Sequence, residues 1–441
     1  MSRTFTPRSR RAAASGDEAV FDATAPGPAV AGVEQPRAEE APGGKCAELI
    51  DRVLAERAVE PLFQPIVELE TLRPVGVEAL ARGPVGTELR NAGALFAAAV
   101  AAGRLGELDT LCAERALESA AAAAVPPPLV FVNAEPAVVD QPLSARLLDL
   151  MGGGRSRIVL EYTERALSAR PAALLQLAAT VQGRGHCLAL DDVGADPMSL
   201  AFLPLLEPEV VKLDLHLLRA PHAPRTVEVV AAVSAVAEQT GAVIVAEGIE
   251  TEADLANARA LGAHWGQGLL FGGPAPIDDL APADPGGAAA LRPSRPGLHL
   301  PAGTPFEAAA ARGKARAGTP EVFAAYLEHL LRRAGAGAVV LASCTDPATA
   351  RSWLPSLTGL AERAAFVGLV APLHPAAVAP GLRFAESPRA TVEECAAIVV
   401  APRYTAALCG RGSRAAQQFA HTEDRALVAE LARVILQQLP R

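Results

Sequence analysis

The stretch LALDDVGAD, residues 188–196, runs apolar for three residues and then sets Asp191 beside Asp192. Leu188, Ala189 and Leu190 read as the end of a buried strand, and the two acids stand where that strand emerges. Neighbouring carboxylates repel, and a core holds them only when they are compensated. The pattern recurs along the chain. Apolar runs fall at LFQPIV (62–67), VGVEAL (75–80), LVFVNAE (129–135), IVLEYTE (158–164), VVKLDL (210–215), VIVAEGIE (243–250) and GQGLLFG (266–272). Between most of them lie Ala/Leu-rich stretches with helical spacing, such as PAALLQLAATVQGRG and RTVEVVAAVSAVAEQTG. Strands alternating with helices predict βα units and a mainly parallel sheet. Eight strands in about 240 residues predict an α/β fold of the TIM-like (β/α)8 type rather than an open doubly wound sheet. No GxGxxG follows the first strand, which argues against a dinucleotide-binding fold.

The chain has 441 residues, which suggests two folded domains plus tails. Residues 1–44 and 283–318 are rich in Ala, Pro and Gly without sustained periodicity, and read as a flexible tail and an interdomain linker. The folded segments are then 45–282 and 319–441. A net charge of −9 argues against DNA as a partner. Six cysteines show no CxxC pairing and read as reduced thiols of a cytoplasmic protein. No apolar run reaches the ~18 residues of a membrane span, and no apolar segment follows the basic start. These features predict a cytoplasmic location away from the membrane.

Polar residues fall at matching places in the strand runs. Glu78, Asn133, Glu161, Asp191, Asp192, Lys212, Asp214 and Glu247 each lie in or just after one. In a barrel those strand ends meet at one face, where active sites form. A single acid at a strand end is more often a helix cap or a surface ion pair. A whole set at corresponding ends reverses that balance. Six of these eight are carboxylates, a cluster that needs cations, and oxygen donors suit Mg²⁺, Mn²⁺ or Ca²⁺ rather than zinc. A two-ion site of that kind serves phosphodiester hydrolysis. Lys212 beside it could orient or deprotonate the nucleophile, or offset charge on the phosphorane. His264 and Trp265 could touch a base, but a packed rim aromatic is the simpler reading. His216 reads as a surface histidine and Cys187 as a small core residue.

These residues resemble the EAL domain: FQPIV (63–67), EALAR (78–82), FVNAEP (131–136), LEYTE (160–164), LDDVG (190–194), VKLD (211–214), VAEGIET (245–251) and GQGLLFGGP (266–274). The likeness covers about residues 45–278. It implies a cyclic di-GMP phosphodiesterase on a TIM-like barrel whose first strand is antiparallel, cutting one ester to give linear pGpG with two Mg²⁺ or Mn²⁺ ions. It implies Glu78, Asn133, Glu161 and Asp191 around one ion, Asp191, Asp192 and Glu247 around the second, and Asp214 nearby. It implies Lys212 as support for the attacking water and Glu250 as the residue steadying the loop after the Asp pair. Gln267 matches a site glutamine, and Gln64 and Arg82 match positions touching the dinucleotide. The family commonly forms homodimers through the region after Asp192.

One stretch departs from the family. Where it reads DDFGTGYSSL, this chain has DDVGADPMSL at 191–200, so Val193, Ala195, Asp196, Pro197 and Met198 differ. The proline stiffens the loop, and the loss of a glycine reduces backbone freedom. An alternative is therefore a receptor that binds cyclic di-GMP with little turnover. A scaffold without nucleotide binding is weaker, given Gln64, Arg82 and Gln267. In 319–441, a helix at EVFAAYLEHLLRRA (321–334), four strands and a closing helix at RALVAELARVILQQL (425–439) predict a small α+β domain. It is similar to the DICT sensory domain, which implies a regulatory role; a docking or dimerisation module fits as well.

Overall fold

The computed structural model describes residues 42–440, apart from 136, 138, 164–169, 195–198, 284–290, 389, 403 and 413–416. Each of the eight apolar runs overlaps a strand, the last by only Gly266 and Gln267. They are β1 (Glu60–Glu68), β2 (Pro74–Arg82), β3 (Leu129–Asn133), β4 (Arg157–Thr163), β5 (Cys187–Val193), β6 (Val210–Leu213), β7 (Val243–Ala246) and β8 (Trp265–Gln267), and they close into a barrel in sequence order. β1 pairs antiparallel with both β2 and β8, and the other neighbours pair parallel. Nine helices accompany the strands among the described residues: α1 (Pro42–Ala55), α2 (Ala92–Ala101), α3 (Leu105–Ala122), α4 (Ala145–Gly153), α5 (Pro171–Gly183), α6 (Leu203–Leu206), α7 (Leu215–Arg219), α8 (Pro224–Thr240) and α9 (Glu252–Ala260).

Alternation along the strands divides the core in two. Outward residues such as Ile158, Leu160, Leu188 and Leu190 join the layer under the helices. Inward residues Leu129, Phe131, Val159, Cys187, Ala189, Val210 and Val243 fill the barrel interior together with Trp265. Trp265 is thus a core residue, and His264 accepts a hydrogen bond from the Ile244 N–H through Nδ1. His216 is exposed.

A smaller sheet domain follows. Its strands are β9 (Ala315–Ala317), β10 (Val339–Cys344), β11 (Phe366–Ala371), β12 (Arg383–Glu386), β13 (Glu394–Ala401), β14 (Tyr404–Arg411) and β15 (Gln418–Thr422). They lie in the order β12-β11-β10-β13-β14-β15-β9. The helices are α10 (Pro305–Ala311), α11 (Pro320–Arg332), α12 (Pro347–Ala361) and α13 (Arg425–Leu436). The sequence reading foresaw α11, α13 and four strands, and did not foresee α12, β9, β12 or β15. No helix among the described residues is long and apolar enough to cross a membrane. The described cysteines are free thiols, and Cys46 lies outside the residues whose side chains are described.

Two boundaries need correction. α1 begins at Pro42, inside the expected tail. The expected linker is packed from Leu291 onward. Leu291 enters the barrel's interior core among residues from the N-terminal ends of the strands, the end away from the acidic positions. Phe306 and Ala309 of α10 are buried, and β9 extends the second sheet. Composition suggested a linker because the partners of these residues are distant in sequence. α13 is buried around most of its circumference, and its side chains join the same core as the barrel's outer layer. Apolar residues spread over most of a helix's circumference need cover on each of those faces. Gly43–Arg441 is accordingly one compact unit. The apolar residues after the Asp pair, Phe202, Leu203, Leu205 and Leu206, are buried within the chain itself.

His299, from the same stretch, is fully buried and donates from Nε2 to the Leu206 carbonyl. Burial pushes its pKa down to about 4; the nearby Arg433 and Arg292 add to this, while the Leu206 carbonyl and Glu207 oppose it. The native protein keeps this ring neutral where the unfolded chain takes up a proton. Its stabilisation is complete above pH 6.5 and is lost as pH falls toward 4, a change of about 3 kcal/mol. Thermal unfolding from pH 7 to 4 should show His299→Gln losing less stability than the native chain; parallel curves would refute this.

Candidate active site

The inward positions carry the site. On β3 they run Leu129, Phe131, Asn133; on β5, Cys187, Ala189, Asp191; on β4, Val159 then Glu161; on β6, Val210 then Lys212; on β7, Val243, Val245, with Glu247 two residues on. Period-two alternation therefore places apolar side chains at one end of the barrel and charged ones at the other. The ammonium of Lys212 is the centre of the charged end. It lies 2.7 Å from Glu161 Oε1, 2.6 Å from Glu247 Oε1, and 3.3 Å from both Glu78 Oε2 and Asp191 Oδ1. Asn133 Nδ2 donates to Glu78 Oε1 at 2.7 Å, and Gln267 Nε2 donates to Glu78 Oε2 at 2.7 Å. Gln267 Nε2 also reaches Gln64 Oε1 at 3.1 Å, and Gln64 donates to the Gly272 carbonyl.

The adjacency of Asp191 and Asp192 has a backbone cause. Successive strand residues ordinarily face opposite sides. Here the β5–β6 register shifts between Leu190 and Val193, and Asp192 takes a left-handed φ of +56°. Irregularities of this kind re-aim side chains beside active sites, and Asp tolerates the left-handed region better than most residues. Its N–H donates to Asp191 Oδ1 at 3.0 Å. Carboxylate oxygens of Asp191, Asp192 and Glu247 consequently lie within 4.8 Å of one another.

Charge in the cluster is unbalanced, with one ammonium facing four carboxylates. Burial pushes Glu78 up, but the Lys212 charge and the Asn133 and Gln267 hydrogen bonds outweigh it and hold Glu78 below the usual carboxylate range. Glu161 is driven well above that range by burial and by the Glu78 charge. Glu247 is pushed up to about 8, by burial first and then by Asp191 and Glu78 against the pull of Lys212. Burial works against the Lys212 charge, but the four carboxylates hold its pKa well above the ordinary lysine value. Among the described residues, no donor reaches the buried Glu161 Oε2. The surplus negative charge, the open oxygen and the all-oxygen donor set fit a hard divalent cation.

Three expected residues stand apart. Asp214 caps α7, its Oδ1 accepting from the His216 N–H at 2.6 Å. Glu250 is half exposed and faces Arg219 at 3.7 Å, so it is not part of the Lys212 cluster. Arg82 is half-buried and donates to its neighbour's carbonyl, Ala81 O. Of the positions that depart from the family, Val193 ends β5 and is buried, and residues 195–198 lie outside the described residues. One supporting residue was missed. A Cβ on Gly268 would sit 2.1 Å from the Ile249 carbonyl oxygen. That close approach brings the Ile249 N–H to Gln267 O at 3.0 Å and fixes the turn after Glu247. The glycines flanking Gln267 were its only trace in the sequence.

A closed barrel with acids at the strand ends defines the class, and the EAL domain model matches residues 48–274. The chain belongs to the EAL-domain family. An uncharacterised protein of Sinorhizobium fredii is 32% identical over 232 residues, covering 51% of this chain and 28% of its own. The cyclic di-GMP phosphodiesterase NbdA of Pseudomonas aeruginosa is 30% identical over 244 residues, covering 53% and 31%. The match thus spans under a third of the length of either relative. Among solved structures, the calcium/cyclic di-GMP complex of Klebsiella pneumoniae BlrP1 aligns with a TM-score of 0.45 at 26% identity, covering 51% of this chain and 58% of that one.

Removing the ammonium leaves its carboxylates buried and uncompensated. Lys212→Met should lower stability by about 3–5 kcal/mol without added metal. Mn²⁺ should then raise the melting temperature of the variant more than that of the native chain. Thermal unfolding with and without Mn²⁺ checks both, and an unchanged melting temperature would contradict the charge argument.

Proposed function

We propose that the barrel binds cyclic di-GMP and hydrolyses one of its phosphodiester bonds to give linear pGpG. The observation that carries this reading is the ring of carboxylates around Lys212, opening on the Asp191–Asp192–Glu247 oxygens. Glu78, Asn133, Glu161 and Asp191 would hold one Mg²⁺ or Mn²⁺, and Asp191, Asp192 and Glu247 a second. Two such ions supply Lewis-acid polarisation of the ester and a water nucleophile at neutral pH. The chain's own residues do the rest. Lys212, fixed by its carboxylates, remains cationic and presents its charge to the phosphate face. Gln267 and Asn133 hold Glu78 in its ionised form and in one orientation. Gln64 and Arg82 lie on β1 and β2, where they would meet the dinucleotide. The sheet domain would regulate the barrel, the role that its sequence resemblance to the DICT sensory domain implies.

One observation favours the receptor as a second reading: Glu250 faces Arg219 and not the cluster. Incubation with cyclic di-GMP and Mg²⁺ or Mn²⁺, followed by chromatography for pGpG, separates the two. Turnover that falls by about 100-fold or more in Glu78→Ala supports the enzyme. Tight binding without product selects the receptor. Lys212→Ala should lose most of the rate while keeping much of the binding. Ca²⁺ should occupy the site yet inhibit, because it tolerates looser geometry.

A further inference from the structure

The crossover from β5 to β6 joins the strand bearing Asp191 and Asp192 to the strand bearing Lys212. A barrel crossover ordinarily contains a full helix, but here the described part holds a three-residue turn at Ser199–Ala201 and the four-residue α6. So short a helix is not stable by itself, and its last carbonyls need partners. Five consecutive carbonyls, of residues 204–208, find them in side chains that follow the barrel in sequence. Arg433 of α13 donates from Nη2 to Pro204 O at 3.0 Å and from Nε to Leu205 O at 2.7 Å. His299 donates to Leu206 O, and Arg292 to Glu207 O and Pro208 O.

The side chains repeat the linkage. Glu207 holds a left-handed φ of +45° and receives Arg433 at 2.9 Å and Arg295 at 2.7 Å. Two residues on, Glu209 Oε2 accepts from the Leu188 N–H of β5 at 2.9 Å, and its other oxygen meets Gln182 at 2.8 Å and Arg292 at 3.2 Å. The Glu209 N–H also donates to Leu188 O, and its carbonyl accepts from the Val243 N–H. Glu209 therefore pins the start of β6 against β5 and β7. Lys212 stands three residues further along β6. Within the same crossover, Phe202 packs edge-on against Phe366 of the second sheet, with ring centres 5.6 Å apart.

We infer that Arg433, acting through α6 and Glu207, is a positioning residue for the acidic cluster: it fixes the height of β6, and so of Lys212, against Asp191 and Glu161. The barrel's site is built partly by the domain that follows it. This inference rests on the cation site proposed above. The test uses the full chain, with Mn²⁺ alone as the probe in calorimetric titration. Arg433→Met keeps the apolar stem and removes the guanidinium; it should weaken Mn²⁺ binding by about tenfold, as loss of outer support for metal ligands does. Arg433→Lys, which restores the charge facing Glu207, should recover part of that loss. Leu357→Ala, in the second sheet's other core cluster, should lower the melting temperature and leave Mn²⁺ affinity unchanged. If Arg433→Met and Leu357→Ala affect Mn²⁺ alike, the positioning role is refuted. If the native chain binds no Mn²⁺, the cation site fails, and hydrogen exchange decides the positioning role alone. Arg433→Met must then speed exchange at the amides of Val211, Lys212 and Leu213 by about tenfold over Leu357→Ala; equal rates overturn it. Should Arg433→Met not fold, the double variant Glu207→Gln/Arg433→Met, which removes both charges, takes its place with the same two outcomes.

Discussion

One buried ammonium among four carboxylates is the constraint on which the site depends. Lys212 cannot leave without stranding Glu78, Glu161, Asp191 and Glu247 in a poorly solvated barrel. Nor can it neutralise all of them. The imbalance is relieved unequally. Glu78, held by two amide donors, stays ionised, while Glu161 and Glu247 are pushed toward keeping their protons. A cation entering at the mouth would meet one carboxylate already fixed and others ready to give up protons in exchange. Metal affinity at such a site is coupled to pH by its own ligands.

The same barrel interior serves as core and as site. Cys187 and Ala189 pack below Asp191, Val210 below Lys212, and Leu129 and Phe131 below Asn133. Because side chains alternate along β6, a slip of that strand by one residue would turn Lys212 outward and bring Val211 or Leu213 in. Apolar packing at the lower end thus sets the register that aligns the charges at the upper end. Leu291 closes that lower end from beyond the barrel's own strands.

Most of the barrel could be read from the chain because its information is local. A buried parallel strand is a short apolar run, and a residue at its end is legible as such. Eight runs, six of them with charged or amide residues at matching ends, overdetermine the answer. Asp214 shows the limit of that reasoning. It follows its strand like the others, but a helix begins immediately, and its carboxylate is used as a cap. The linker shows a different limit. Ala, Pro and Gly in 283–318 carry no periodicity, and the burial of Leu291, His299 and Phe306 depends on partners far away in the chain. β9, of three exposed residues, has no apolar pattern to announce it. The left-handed turn at Asp192 was equally hidden, since nothing in the letters DD specifies φ.

The departure from the family pattern after Asp192 gains a physical context from the packing. A loop that works by moving needs neighbours that let it move. In this chain the segment that follows is held by an aromatic contact at Phe202, by side-chain donors on five successive carbonyls, and by a buried arginine on Glu207. The letters between, with a proline at 197 and no glycine at 196, give less backbone freedom than the family pattern. Arg433, Arg292 and His299 tie the described part of the crossover to segments that follow the barrel in the chain.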